Sequence, residues 1–182
     1  KTGKDIVIRY PQLSDVDQMT DFINAASKEK TYIRAQGEKF SLEDEKTYLQ
    51  KILENIKNKK TVKLIAFINN KYIGSADITM KSQVESHVGV FGIIVSDGFR
   101  GEGIGRLLMG NVIGEALKHI PELMIVELYV FYNNPVAIKL RELQTYQEIG
   151  TEQNTLMMVI PSDMLSSAQW TLPFGANFVE RN

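Results

Sequence analysis

The chain of 182 residues carries 21 basic and 22 acidic side chains, and a net charge of -1 offers no electrostatic case for nucleic acid as a partner. A hydrophobic content of 43% suits one domain with a proper core, and the absence of cysteine excludes disulfides, thiol catalysis and thiolate-ligated zinc. No run of about 18 apolar residues could span a membrane, and the first five residues lack the apolar core of a secretory leader, so a cytoplasmic home is expected.

Residues 6–10, Ile-Val-Ile-Arg-Tyr, form a β-branched run stopped by Pro11 and read as a first strand. Ser14 followed by Asp17 has the spacing of a capping box and opens a helix to about residue 27, with Val16, Met19, Phe22 and Ile23 at core-facing intervals. After a polar link containing Tyr32 and Gly37, Ser41 and Asp44 open a second helix striped by Tyr48, Leu49, Ile52, Leu53 and Ile56. The period then changes to two. Residues 62–67 and 72–79 flank Asn69-Asn70-Lys71 and predict a β-hairpin. Residues 87–95 predict a further strand that feeds a glycine-rich turn, and residues 103–120 a third helix, ended by Pro121. The nearly continuous apolar run 124–131 suits a strand covered on both faces. Asn133-Asn134-Pro135 begins a fourth short helix to about residue 143, and residues 146–150 and 155–160 read as the last two strands. The expected fold is α/β (α+β): a mixed sheet, its middle hairpin antiparallel and the strand–helix–strand unit 87–131 parallel, with helices on both faces. One domain is expected over 1–160, followed by an extension over 161–182. Trp170, Phe174 and Phe178 of that extension either pack back as core or, exposed, offer a partner or homodimer surface.

The turn Arg100-Gly101-Glu102-Gly103-Ile104-Gly105-Arg106 leads into a helix, where unpaired first-turn amides and the macrodipole favour phosphate. A Walker A loop would need Lys followed by Ser or Thr, and a dinucleotide fingerprint would need Gly-x-Gly-x-x-Gly after an early strand; neither is present. The spacing Arg-x-x-Gly-x-Gly instead matches a coenzyme A pyrophosphate loop. Gly92-Ile93-Ile94-Val95 precedes it, and Asn134-Pro135-Val136-Ala137-Ile138-Lys139-Leu140 follows one strand downstream. With these two motifs in register, the chain resembles the GNAT superfamily of acetyl-CoA-dependent N-acetyltransferases over roughly residues 6–152.

That resemblance implies a mostly antiparallel sheet with a central parallel strand pair. It implies acetyl-CoA as co-substrate, no metal, and an amine acceptor, whether a protein N-terminus, a lysine or a small amine such as a polyamine. The backbone of Ile93, Ile94 and Val95 would pair with the pantetheine arm as an added strand, and an amide near Val95 would serve the thioester oxygen. The amides from Gly101 through Glu102, Gly103, Ile104 and Gly105 to Arg106 would hold the pyrophosphate, Asn134 would bond the arm, and Ala137 would leave room for it. Asn134 equally suits a helix N-cap, and Arg100 either meets phosphate or is a solvated loop residue. Glu85 and His87, before the strand that feeds the turn, are candidate general bases; a strand-end surface histidine and a solvated glutamate are the alternatives. Where family members often carry a Leu-Tyr pair, this chain has Leu140-Arg141, and arginine is no proton donor. Tyr129 and Tyr132 are the nearby substitutes, Tyr32 marks the acceptor side, and a non-catalytic coenzyme A-binding module is the competing function.

Overall fold

The computed structural model describes residues 5–131, 133–134, 147–152, 155–160 and 177–178. Among the described residues eight strands form one sheet: β1 (Ile6–Arg9), β2 (Thr61–Ile68), β3 (Lys71–Met80), β4 (Val88–Val95), β5 (Ile125–Phe131), β6 (Gln147–Glu152), β7 (Thr155–Ile160) and β8 (Asn177–Phe178), in the spatial order β6-β7-β5-β4-β3-β2-β1-β8. The central pair β4–β5 is parallel and its flanking pairs are antiparallel; the two-residue β8 lies parallel to β1 at the far edge. The mixed sheet read from the sequence is therefore present, with β8 an addition that the aperiodic tail did not announce. Among the described residues no helix is long and apolar enough to cross a membrane.

Alternation along the strands divides the core into two layers. Leu64 and Ala66 on β2, Ile73, Ala76 and Ile78 on β3, and Val126 and Leu128 on β5 share one cluster with Leu108, Val112, Ile113 and Ala116 of α3 (Ile104–His119). On the opposite face Ile65, Phe67 and Tyr72 meet Met19 of α1 (Val16–Glu29) and Leu49 of α2 (Leu42–Lys57). α3 is covered on more than one side, since Asn111 and Glu115 are buried too. Both are satisfied: the Asn111 amide donates to the Leu107 carbonyl, and Glu115 accepts from the Tyr10 hydroxyl at 3.0 Å and pairs with Lys118 and His119.

Two local details differ from the sequence reading. Ser41 and Asp44 do close a reciprocal capping box on α2, but Ser14 and Asp17 do not cap α1. Ser14 lies inside a 3-10 turn, Leu13–Asp15, and Asp15 organises the entry: its buried carboxylate accepts from the Gln12 amide at 2.7 Å and pairs with Arg9 at 2.6 Å. An ion pair to the preceding strand thus takes the place of a hydroxyl cap. In the hairpin, Ala66 stands opposite Gly74 but Phe67 stands opposite Tyr72, so Ile73 is an extra residue and the ladder bulges there. The helix predicted to follow Asn134, with Ala137 and Arg141, lies outside the described residues, as do Tyr132, Trp170 and Phe174; Asn134 itself closes a turn, its amide donating to the Phe131 carbonyl at 2.9 Å.

Candidate active site

The two parallel strands stay together only at their beginnings. Val88 to Phe91 pair with Ile125 to Leu128, and there the β4–β5 ladder stops. β4 continues through Gly92, Ile93, Ile94 and Val95 against β3 alone, while β5 continues through Phe131 against β7. In an antiparallel ladder alternate residues direct their amides and carbonyls away from the partner, so the second half of β4 presents an open edge toward the gap.

The glycine turn closes that gap at one end. Gly98, Gly101 and Gly103 have φ of +81°, +80° and +88°, a region that side chains resist, and a Cβ at any of them would touch nothing within 4 Å. These glycines are needed for the turn's shape, and they leave its outer face bare. Gly103 is the N-cap of α3 and supplies no side-chain cap, so the helix's first amides remain available. Glu102 and Arg106 are exposed, and Arg106 makes no ion pair among the described residues. Arg100 is exposed but engaged: its Nε donates to the Val95 carbonyl at 2.8 Å, and its guanidinium meets Glu29 at 2.7 Å and Asp97 at 3.9 Å. It ties the turn to the end of α1 and to β4.

Beside the gap lies a cleft of about 1610 Å³. Its floor is the sheet face formed by Lys63, Ser75, Asp77, Thr79, Val90 and Gly92; Tyr129, Phe131 and Asn134 form one wall, and α1, α2 and the link between them form the other. Tyr32 in that link reaches across the cleft. Its hydroxyl donates to the Asn133 carbonyl at 2.9 Å and its ring lies 6.4 Å from that of Phe131, so the link is strapped to the end of β5.

Two charge clusters occupy this face. The first was not foreseen from the sequence. Lys63, buried on β2, donates to Asp77 Oδ1 at 3.2 Å and to the Tyr48 hydroxyl at 3.3 Å. Burial opposes its charge, but the Asp77 carboxylate and the Tyr48 and Tyr72 hydroxyls outweigh that and hold the ammonium above its ordinary range. Lys63 is thus a fixed cation and no base. Burial pushes the Tyr72 phenol up to about 12 despite Lys63, and burial likewise raises the Glu45 carboxyl. The visible signal was a lysine and an aspartate set into strands that are otherwise mostly apolar.

The second cluster joins two of the expected residues. Lys81 bridges Glu85 and buried Glu127, each at 2.8 Å, and the Tyr129 hydroxyl donates to Glu127 at 3.0 Å. Both carboxylates raise the Lys81 ammonium, while burial and then the bond to Glu127 raise the Tyr129 phenol. Tyr129 lines the cleft with its proton engaged; Glu85 lies outside the lining. His87 also lies outside it, at the beginning of β4, where its carbonyl accepts from Met124 and Ile125. At about 3.3 Å per residue it stands roughly 16 Å along the strand from Gly92.

The family model for acetyltransferase (GNAT) matches residues 22–143, and the chain belongs to that family. No curated protein matches the chain. Among solved structures, it is similar to a GNAT-family acetyltransferase from Streptococcus pneumoniae, 23% identical, with a TM-score of 0.72 over 85% of this chain and 98% of that one. A ribosomal-protein-S5-alanine acetyltransferase from Vibrio fischeri, 16% identical, superposes with a TM-score of 0.74 over 86% and 92% of the two chains. A spermidine N-acetyltransferase from Vibrio cholerae, solved with CoA and spermine, is 17% identical, with a TM-score of 0.70 over 90% and 99%. At these identities the likeness is one of fold.

Proposed function

We propose that this protein transfers the acetyl group of acetyl-CoA to a primary amine by direct attack, with donor and acceptor bound together. The observation that carries the reading is the parting of β4 from β5 after Phe91 and Leu128, which opens a backbone edge continuous with the bare turn at the head of α3. A pantetheine arm carries amides that match such an edge, and a pyrophosphate matches the turn's free amides. The bare glycines leave no side chain in the way of such a ligand.

When bound, acetyl-CoA supplies an activated thioester. The chain's own groups do the rest. Ile93, Ile94 and Val95 hold the arm, the amides of residues 101–106 hold the phosphates, and Arg100 keeps turn and strand in fixed relation through Val95. An amide of the open edge donates to the carbonyl oxygen as charge grows on it. The acceptor enters through the cleft under the Tyr32 strap. An amine with a pKa near ~10 arrives protonated, so the cleft must take a proton from it; a thiol with a pKa near ~8.5 departs without needing a strong acid. That second point removes any need for a tyrosine at position 141. The acceptor is a protein N-terminus, a lysine or a small amine such as the spermine bound in the Vibrio cholerae enzyme.

Gly103→Asp tests the cofactor assignment. The aspartate places charge against the phosphates at a φ of +88°, so calorimetry should show acetyl-CoA binding abolished while circular dichroism shows a folded domain. Unchanged affinity in that variant would overturn the assignment.

A further inference from the structure

Acyl transfer needs a protein group that meets the incoming ammonium, and the floor of the cleft holds one beside the open strand edge. Asp77 stands opposite Gly92 in the β3–β4 ladder, and Gly92 is the first β4 residue beyond the last pair with β5. A Cβ on Gly92 would lie 3.7 Å from both Asp77 oxygens, so the carboxylate sits over bare backbone where the edge begins. Oδ1 accepts from Lys63, whereas Oδ2 has no hydrogen bond among the described residues, and the side chain is 27% exposed to the cleft. The other cleft carboxylates are differently placed. Asp44 is engaged in capping Ser41, Glu38 accepts from the Gln36 amide, and Glu45 is buried on α2. Lys63 on β2 meets Asp77 directly, with Tyr48 on α2 and Tyr72 on β3 beside that ammonium, while Glu45 on α2 and Tyr129 on β5 line the same cleft.

We propose that Asp77 is the catalytic carboxylate that docks the acceptor ammonium through Oδ2 and takes its proton, while Lys63 is a positioning residue that orients the carboxylate through Oδ1. The proposal rests on the acetyl-transfer reading above. One N–H bond of the ammonium breaks and its proton passes to Oδ2, then to solvent through the cleft. The freed lone pair forms the N–C bond at the thioester carbonyl. The C–S bond breaks with its electron pair on sulfur, and sulfur takes the second proton lost by nitrogen. Amine and thioester become amide and thiol, with no other reactant. Gly92, lacking a side chain, leaves the space in which nitrogen meets carbonyl.

The test is the pH dependence of kcat/KM, measured on the whole chain with acetyl-CoA and the best amine from a panel of peptides, lysine and polyamines. Wild type, binding the ammonium, should be flat across the neutral range. Asp77→Asn must wait for free amine, so at pH 7.5 it should fall about 100-fold, within the usual range for a general base. The deficit should shrink about tenfold per pH unit as the amine's own pKa near ~10 is approached. Acetyl-CoA affinity should be unchanged, and Asp77→Glu should recover most of the rate. Because Asp77→Asn strands the buried Lys63 charge, the double variant Lys63→Met/Asp77→Asn, which replaces the pair by neutral groups, should fold and show the same pH-dependent deficit. A variant that keeps wild-type kcat/KM within threefold, or one whose deficit is equal at every pH, would overturn the role of Asp77 and leave acetyl transfer standing. Failure of folded wild type to consume acetyl-CoA with any amine would overturn acetyl transfer itself, and this proposal with it.

Discussion

Gly74→Ala isolates the packing that positions the cofactor edge. An added Cβ at this position would lie 2.7 Å from the Ile94 carbonyl oxygen, 3.2 Å from the Val95 Cα and 3.5 Å from Leu108 Cδ1. An ordinary contact needs at least 3.4 Å, and two of the three neighbours are backbone, so β4 itself must move by several tenths of an ångström. Overpacking of this kind costs about 1–3 kcal/mol. At about 2–4 °C per kcal/mol for a domain of this size, the melting temperature should fall by roughly 2–12 °C. The displaced atoms belong to the strand edge assigned to the pantetheine arm, so acetyl-CoA affinity should fall as well, although no ligand contact is substituted. Gly92→Ala is the control on the same strand pair, since the atoms nearest its Cβ are the Asp77 oxygens at an ordinary 3.7 Å. It should hold its melting temperature and lose acetyl transfer. Calorimetric melting and isothermal titration of both variants decide the matter. A Gly74→Ala protein as stable as wild type, to within about 0.5 kcal/mol, would refute the claim that β3 and β4 are packed this tightly at the edge.

The buried carboxylate of Glu115 gives a second test: Tyr10→Phe removes the hydroxyl that donates to it at 3.0 Å and should cost about 1–3 kcal/mol in urea unfolding. Glu45 gives a pH test. Burial raises its folded-state pKa above the ordinary 4.5, so its contribution is fully present below that value and is lost as pH rises through the folded pKa. Glu45→Gln should therefore be more stable than wild type at neutral pH, with the gap closing as pH falls toward 4; a gap that widened on acidification would show the sign to be wrong. Tyr32→Phe should unstrap the α1–α2 link from Asn133, raising KM for the acceptor several-fold with little change in acetyl-CoA affinity, as measured by steady-state kinetics.

The elements that position the site were readable because local chemistry and tertiary role coincide in them. Ser41 and Asp44 cap α2 in the way their spacing implies, and the glycines of the turn adopt backbone angles that only glycine accepts readily. The apolar runs on either side of α3 became the parallel pair, but nothing in them announced that pairing would stop at Phe91 and Leu128. Charged residues were harder to place. His87 precedes the strand that carries the edge, and a strand rises about 3.3 Å per residue, while Glu85 sits in the 3-10 turn before it and reaches the cleft through Lys81, Glu127 and Tyr129. The meeting of Lys63 with Asp77 depends on register. A regular hairpin around Asn69 and Asn70 would pair Lys63 with Ala76, and only the extra residue at Ile73 brings Asp77 opposite instead.

That bulge also determines how the hairpin can change in length. Tyr72 and Asp77 are five residues apart, an odd number that in an unbroken strand would send them to opposite faces, yet both line the cleft. Ile73 absorbs the odd step, so the hairpin can lose that one residue, become regular, and still deliver lysine and aspartate together to the cleft floor. A residue lost from residues 64–66 has no such buffer: it would turn an ammonium or a carboxylate into the aliphatic layer beneath α3. Insertions and deletions in this strand pair are therefore sorted by parity and place as much as by the identity of what is lost.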